Sequence, residues 1–167
     1  IADAARLTGF SRAGARRILR TLEAMGYASQ ENGRFNLTPK ILTLGFSFLR
    51  SSEIGDRVNP ILRKASNAMR ETCSLGLPSS TDMVYVAHAI CEDLLFSTRF
   101  TIGARLPMAA TAIGRAYLAH VSETERNRLM AQIAPKSETP NTVIDRGALK
   151  VILDRTRNQG YAATDEE

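Results

Sequence analysis

The sequence lacks any long apolar run. No segment of the 167 residues approaches the roughly 20 consecutive apolar residues that a membrane-spanning helix needs. The first ten residues, IADAARLTGF, have neither a basic lead nor an uninterrupted apolar core, so they do not read as a secretory signal. We therefore expect a cytoplasmic protein that has no membrane partner.

Cysteine and histidine are scarce, with two of each: Cys73, Cys91, His88 and His120. The cysteines form no CxxC pair, and two are too few for a disulfide framework, so reduced buried thiols are expected, with a bridge between them as the alternative. Neither histidine lies at metal-ligand spacing from a cysteine or a carboxylate pair, and we expect no metal and no cofactor. His88 is interpreted as a hydrogen-bonded strand residue and His120 as a helix C-terminal one.

Motifs of enzyme active sites are absent as well. The sequence contains no GxSxG, Walker loop, GxGxxG or HExxH. Acid–base chemistry by scattered carboxylates stays open, but no positive pattern supports an enzyme. The composition, 44% hydrophobic and 23% charged, is that of an ordinary folded domain and excludes the disordered and fibrous classes.

What is present is a basic excess confined to the first third of the chain. Residues 1–50 contain eight Lys or Arg and three acids, whereas residues 51–167 contain fourteen of each. This asymmetry is expected if one module meets a polyanion and the other does not.

The basic third has the pattern of a helix-turn-helix. A short helix over Ile1–Leu7 ends at Thr8-Gly9, and a second helix runs from the N-cap Ser11 to Met25. Arginines climb one face of the second helix without acids, since Glu23 lies beyond that face; a merely solvated basic surface is the alternative. The motif places this helix in the DNA major groove. We assign base reading to Arg12, Ala13 and Arg16, and phosphate contacts to Ser11, Arg17 and Arg20.

A hairpin and a third helix follow. Asn32-Gly33 between two short strand-like runs, 27–30 and 35–37, predicts a type I′ hairpin, the wing, with Arg34 at its tip reaching DNA or simply solvated. Thr38 is a predicted N-cap and Pro39 a first helical residue. The helix 39–50 is more apolar than a connecting segment requires, so it is interpreted as a linker that pairs with a second subunit, with packing inside one chain as the alternative.

These segments resemble a known family. The run AARLTGFSRAGARRILRTLEAMGYASQENGRFNLTPKILTLGFSFLRS resembles the DNA-binding half of IclR-type transcriptional regulators, and IGARLPMAATAIGRAYLA resembles the central signature of their effector-binding half. The SRAGARR stretch resembles the subgroup that governs aromatic-acid catabolism. The resemblance implies that the family's first helix precedes Ile1 and that further strands follow the last residue.

The predicted fold class is α+β, with a winged helix-turn-helix at 1–38, a linker helix at 39–52 and an incomplete effector-binding domain at 53–167. The resemblance implies a GAF/profilin-like architecture for that last domain. Periodicity predicts helices at 54 or 56–73, 110–121, 123–133 and 145–158, strands at 83–87 and 94–100, and a strand opening at Tyr161.

The resemblance also implies an effector pocket lined by Leu95, Thr98, Ala112, Ile113 and Thr164, although residues such as Leu95 and Ile113 are, from sequence alone, more often core residues than ligand contacts. A helix starting near Thr111 can offer N–H groups to a carboxylate, which suits a small organic acid. Some glyoxylate- and pyruvate-responsive relatives carry an acid where this chain has Thr164, so their ligand is not assumed. Arg99 and Arg105 are further candidate carboxylate partners.

The leading hypothesis is a homodimer or tetramer that binds a pseudo-palindromic operator in double-stranded DNA and responds to a small organic acid, with aromatic acids as a candidate class. A second hypothesis keeps DNA binding but makes the rest a dimerisation or protein-interaction module without a ligand. A third, an enzyme with an appended basic domain, lacks a catalytic cluster.

Overall fold

The computed structural model describes residues 1–52, 54–91, 101–134 and 136–166. The chain forms two compact units, Ile1–Glu53 and Ile54–Glu167. Within the described ranges, no helix is both long and apolar enough to cross a membrane. The same ranges hold no group of three His, Cys, Asp or Glu side chains that could bind a metal ion.

The first unit contains three helices and a hairpin. Gly9 ends the first helix in the left-handed conformation, at φ 72°, and Ser11 caps the second by accepting a 3.1 Å hydrogen bond from the N–H of Gly14. Both features were predicted from the sequence. The elements are α1 (Ala2–Thr8), α2 (Arg12–Ala24), β1 (Ala28–Glu31), β2 (Arg34–Leu37) and α3 (Ile41–Ser51).

The hairpin has the predicted turn. Asn32 and Gly33 both have positive φ, at 50° and 77°, as a type I′ turn requires. Glu31 pairs with Arg34 across the turn, and the antiparallel register runs back to Ala28 opposite Leu37. The two turn residues thus fix the register of the whole hairpin.

The start of α3 differs from the prediction. Thr38 and Pro39 precede the helix, which begins at Ile41 after Lys40. The Thr38 hydroxyl does not cap the helix, because it donates a 2.6 Å hydrogen bond to the carbonyl oxygen of Gly26. A tertiary contact at the base of the hairpin therefore takes the group that local sequence assigns to the helix.

The second unit combines a three-stranded antiparallel sheet, in the order β3-β4-β5, with helices. Helix α4 packs against β3 and β4, α5 packs against the same two strands, and α7 packs on α5. Its elements are a π-helical turn (Ile54–Val58), α4 (Asn59–Met69), β3 (Cys73–Ser79), β4 (Asp82–Ala89), β5 (Arg105–Pro107), α5 (Ala112–His120), α6 (Glu123–Gln132) and α7 (Arg146–Gln159).

Strand β3 is the main element that sequence reasoning missed. The predicted helix over 56–73 ends at Met69, because Arg70 adopts the left-handed conformation at φ 53°, and Cys73 begins a strand. Both cysteines are free thiols, Cys91 buried and Cys73 half-buried. The predicted strand 94–100 lies outside the described residues. Residues 161–166 form no strand with the described part of the chain, contrary to the prediction at Tyr161.

Large apolar side chains from β4, α5, α6 and α7 build one core in the second unit. Gly114 allows α5 to approach the preceding turn, since an added Cβ there would lie 2.5 Å from the Cα of Met108. The start of α5 is thus held by backbone packing. The buried members of the core are Met83, Met108, Leu118, Ala119, Leu129, Leu149 and Leu153.

Candidate functional site

Helix α2 presents four arginines that we call the arginine face: Arg12, Arg16, Arg17 and Arg20. All four are exposed, while Ala15 beside them is buried against the unit. Ala13 and Ser11 are exposed at the start of the same helix. Among the described residues, Arg12, Arg16 and Arg17 have no carboxylate partner, so their guanidinium groups are available to a polyanion.

Arg20 corrects the expectation that no acid reaches this face. Its Nη1 lies 2.6 Å from Oε2 of Glu23, one turn further along α2. Its guanidinium carbon also lies 5.7 Å from the centre of the Phe35 ring on β2. Glu23 therefore neutralises Arg20, at the C-terminal end of the arginine face. The other three arginines carry the net charge of this face.

The hairpin is fastened to the end of α2. The Lys40 ammonium donates a 2.8 Å hydrogen bond to the carbonyl oxygen of Met25 and lies 5.0 Å from the centre of the Tyr27 ring. The N–H of Thr38 donates to the carbonyl oxygen of Tyr27 at 3.0 Å. These contacts hold the wing at a fixed position beside α2, with Arg34 exposed at its turn.

The second unit contains a cavity of about 410 Å³, which we call the strand–helix pocket. Of the five predicted effector contacts, it brings together Ala112, Ile113 and Thr164. The other two, Leu95 and Thr98, lie outside the described residues. The lining also contains Thr111, which the sequence named only as the start of the helix, and four residues that sequence reasoning missed: Thr72, Ser74, Tyr85 and Leu106.

One end of the pocket is the start of α5. The Thr111 hydroxyl donates to the carbonyl oxygen of Pro107 at 2.8 Å and accepts from the N–H of Gly114 at 3.4 Å. The first N–H groups of a helix have no acceptor within it. Those of Ala112 and Ile113 therefore sit at the pocket with the positive end of the helix dipole.

The strand side of the pocket carries hydroxyl groups. Ser74 Oγ lies 3.0 Å from Nδ1 of His88, which confirms that the strand histidine is hydrogen-bonded. Burial raises the pKa of the Tyr85 phenol, so this group stays protonated at neutral pH. Thr72 Oγ1 is buried and has no hydrogen-bond partner among the described residues. Within those residues, no Lys, Arg, Asp or Glu lines the pocket.

Gly76 lies next to Ile113, which lines this pocket. A Cβ at Gly76 on β3 would lie 2.6 Å from Cδ1 of Ile113, so a larger residue there would require the end of the Ile113 side chain to shift. Ile113 also packs on the core. The two readings of Ile113 left open by the sequence, core residue and pocket residue, therefore describe the same position.

A second cavity, of about 570 Å³, has a charged lining. Its Arg105 donates two hydrogen bonds to Oδ2 of Asp82, at 2.9 and 2.6 Å, and its Lys136 pairs with Glu138 at 2.8 Å. Arg105 thus forms an intramolecular ion pair with Asp82. It does not line the strand–helix pocket, contrary to the expectation that it could bind a carboxylate there. Arg99 lies outside the described residues.

Comparison with known proteins gives the family. The profile described as bacterial transcriptional regulator IclR C-terminal matches residues 46–167, and the IclR helix-turn-helix domain matches residues 1–32. The chain is 34% identical to the HTH-type transcriptional regulator XynR of Escherichia coli, over the whole chain and 67% of the relative. It is 30% identical to the Pca regulon regulatory protein of Pseudomonas putida, over the whole chain but only 57% of that relative's length.

The fold agrees with these matches. The crystal structure of an IclR family transcriptional regulator from Brucella abortus superposes with a TM-score of 0.79 at 27% identity, covering 95% of this chain and 60% of that one. The relatives are named as regulators of transcription and not as enzymes, in line with the missing catalytic motifs. The chain belongs to the IclR family of bacterial transcriptional regulators.

Proposed function

We propose that this protein binds operator DNA through its first unit and that a small organic acid, bound in its second unit, modulates that binding. The observation that carries the proposal is the arginine face, where the guanidinium groups of Arg12, Arg16 and Arg17 lack acidic neighbours among the described residues. Within this proposal the domains are the winged helix-turn-helix 1–38, the linker helix 39–52 and the effector-binding domain 53–167.

The proposed DNA contacts follow from position along α2. Arg12, Ala13 and Arg16 lie in its first turns, where a recognition helix meets base edges in the major groove. An arginine fork matches the O6 and N7 atoms of guanine, and the methyl of Ala13 leaves room for close approach. Phosphate contacts belong to Ser11, Arg17 and Arg20 on α2 and to Arg34 at the wing.

The proposed assembly is a homodimer, or a tetramer built from dimers, that pairs through α3. No residue of this helix is buried within the described chain, and four of its large apolar side chains are 48–63% exposed. Apolar side chains along one helix that stay exposed among the described residues mark an interaction surface. Two copies of one unit suit the two halves of a pseudo-palindromic operator. The four side chains are Leu42, Leu44, Phe46 and Phe48.

The proposed effector is a small organic acid, and aromatic acids are the favoured class. Its carboxylate would accept hydrogen bonds from the N–H groups of Ala112 and Ile113 at the start of α5. The walls formed by Ile113 and Leu106 suit a ring or a short carbon chain. The likeness to the Pca regulon regulatory protein supports an aromatic acid as the effector, as does the SRAGARR stretch.

The decisive experiment replaces Arg12 and Arg16 with Ala, singly and together, and measures operator binding by fluorescence anisotropy. We expect each single change to weaken specific binding by about 10- to 100-fold, because a bidentate arginine–guanine contact is worth about 1–3 kcal/mol. The matched control is Arg128→Ala, which removes an exposed arginine paired with Glu125 in the second unit and leaves binding unchanged.

The same variants separate DNA binding from folding. Both arginines are exposed, so the midpoint of thermal unfolding should stay within a degree or two of the parent protein. Wild-type operator affinity in the double variant would refute the assigned recognition surface. Adding benzoate in the same assay tests the second half of the proposal, because an effector must change the operator dissociation constant.

A further inference from the structure

Helix α3 has little packing inside the first unit to hold its direction. None of its residues is buried in the described part of the chain. Helix α2, in contrast, packs on α1 and on β1, whereas α3 packs extensively on no other element among the described residues. The direction of α3 relative to α2 therefore depends on the short segment that precedes α3, residues 38–40.

The C-terminal end of α2 is closed by its own hydrogen bonds. The N–H of Gly26 donates to the carbonyl oxygen of Glu23 at 2.9 Å, and the N–H of Tyr27 donates to that of Leu22 at 2.8 Å. Gly26 adopts the left-handed conformation, at φ 77°, so the helix ends in a Schellman motif. Residues 25–27 are therefore fixed to the helix by its last turn.

Two side chains from the segment before α3 bind this helix end. The last carbonyl groups of a helix have no donor within it. The Lys40 ammonium donates to the carbonyl oxygen of Met25 at 2.8 Å, and it lies 5.0 Å from the centre of the Tyr27 ring. The Thr38 hydroxyl donates to the carbonyl oxygen of Gly26 at 2.6 Å. A cation is also favourable at the negative end of the helix dipole. We call these contacts the α2–α3 clamp.

The backbones of the same two residues lead directly into α3. The N–H of Ile41 donates to the carbonyl oxygen of Thr38 at 3.1 Å. The N–H of Thr43 donates to the carbonyl oxygen of Lys40 at 3.0 Å, and the Thr43 hydroxyl donates to the same oxygen at 2.7 Å. Thr38 and Lys40 are thus bound to α3 through their backbones and to the end of α2 through their side chains.

We propose that the α2–α3 clamp fixes the angle between α2 and α3, and that Thr38 and Lys40 are thereby positioning residues that set the separation of operator half-sites the protein accepts. This inference rests on the proposed function, in which α2 enters the major groove and α3 pairs with a second copy. In such a dimer, the two recognition helices keep a fixed separation only if each holds a fixed angle to its own α3. Half-site spacing in the DNA mirrors that geometry.

Duplexes with altered spacing test the clamp in the complete protein. The parent protein first selects a duplex with two inverted half-sites from a random library. Two further duplexes derive from it: one gains two base pairs at its centre, and the other keeps a single half-site. Two added base pairs rotate one half-site relative to the other by about 70°, because B-DNA turns once in about 10–10.5 base pairs.

The measured quantity is the spacing preference, which is the dissociation constant of the spaced duplex divided by that of the selected duplex. For the parent protein we expect at least about 30, because the second recognition helix no longer meets its bases in the spaced duplex. Fluorescence anisotropy measures all three duplexes.

Removing the clamp should lower the spacing preference. Lys40→Met and Thr38→Val each delete a side-chain donor with little change of shape. In the double variant we expect a preference below about 5, because a recognition helix that is no longer held in advance can adapt to the wider spacing. Affinity for the single half-site should stay within about twofold of the parent value, since the arginine face is unchanged.

Conservative variants and matched controls guard against a folding defect. Lys40→Arg retains a cation with N–H donors, and Thr38→Ser retains the hydroxyl, so both should keep the spacing preference. Lys64→Met and Thr124→Val make the same changes at exposed residues of the second unit and should leave it unaltered. If the double variant unfolds, the two single variants decide, because each should lower the preference part of the way.

Other roles of the two residues give different results. If Lys40 only contacts a phosphate, Lys40→Met weakens binding to all three duplexes alike and keeps the spacing preference, which overturns the clamp. A dimer weakened in the double variant, measured by sedimentation equilibrium, would place these residues in the interface and also overturn it. The proposed function stands in both cases.

The parent protein itself tests the assumption beneath the clamp. A parent that forms no dimer, or that shows no spacing preference, overturns the clamp together with the dimeric assembly in the proposed function. Failure to select any duplex from the library overturns the clamp along with operator binding. An unchanged spacing preference in the double variant overturns the clamp alone.

Discussion

The two units differ in what they bury. In the described part of the first unit, the buried apolar residues are the alanines Ala5, Ala15 and Ala28, and larger side chains such as Phe46 stay exposed. The second unit buries methionine and leucine from four elements and also buries Met108, in the turn before α5, which is wholly inaccessible. Burial of a large apolar side chain is worth roughly 1.5–3 kcal/mol, and an alanine offers far less. Apolar burial therefore stabilises the second unit more than the first, whose large apolar side chains such as Phe46 remain at the surface.

The largest expected effect breaks the core of the second unit at α5. In Gly114→Ala the added methyl meets the backbone of Met108, which cannot move aside like a flexible side chain. We expect the free energy of unfolding to fall by roughly 3 kcal/mol, measured by urea denaturation. Gly55→Ala is the control, because a Cβ there meets nothing within 4 Å and should change stability by less than about 0.5 kcal/mol. Equal effects of the two changes would contradict this account of the core.

The next effect tests whether the first unit completes its core by pairing. Phe46→Asp places a charge on the exposed apolar surface of α3, where Phe46 is 63% exposed. If α3 pairs with a second copy, the dimer dissociation constant should rise at least about 30-fold, as at an interface hot spot, by sedimentation equilibrium. Val151→Asp, at a 69% exposed residue of α7, is the matched control. A dimer that tolerates both changes would show that α3 is not the interface.

The smallest effect compares one ion pair from each unit. Arg20–Glu23 and Arg128–Glu125 are both one-turn helix pairs with 2.6 Å contacts. Exposed pairs contribute little to stability because solvent screens them, so Arg20→Ala and Arg128→Ala should barely change the unfolding midpoint. Only Arg20→Ala should reduce the salt dependence of operator binding, by about one phosphate contact. An unchanged salt slope would place Arg20 outside the DNA contact.

Local signals in the sequence predicted much of the first unit. Ser11 as a cap, Gly9 as a helix end and Asn32-Gly33 as a hairpin turn all act within four residues, so the local sequence alone identifies them. The same logic found α5, α6 and α7 to within about two residues, since each has a periodic apolar side. It failed at Thr38, where a hydrogen bond to Gly26 across the hairpin outweighs the local capping preference.

Strand β3 was beyond such reasoning. Its residues include Gly76 and Pro78, which disfavour strands, and no glycine marks the end of α4 before it. The strand forms because it pairs with β4, and Ile113 packs close to its Gly76. Ser74 of the strand–helix pocket, and Thr72 just before the strand, were missed with it, while Ala112, Ile113 and Thr164 were named through family resemblance.

The sequence by itself determined the charge asymmetry, the helix-turn-helix with its wing, and the absence of known enzyme motifs, because these depend on residue type and short spacing. Only the tertiary structure decided that Glu23 neutralises Arg20, that Arg105 serves Asp82, and that hydroxyls from β3 and β4 face the start of α5. Those contacts depend on strand register and helix approach, which join residues far apart in the chain and leave no periodic trace in it.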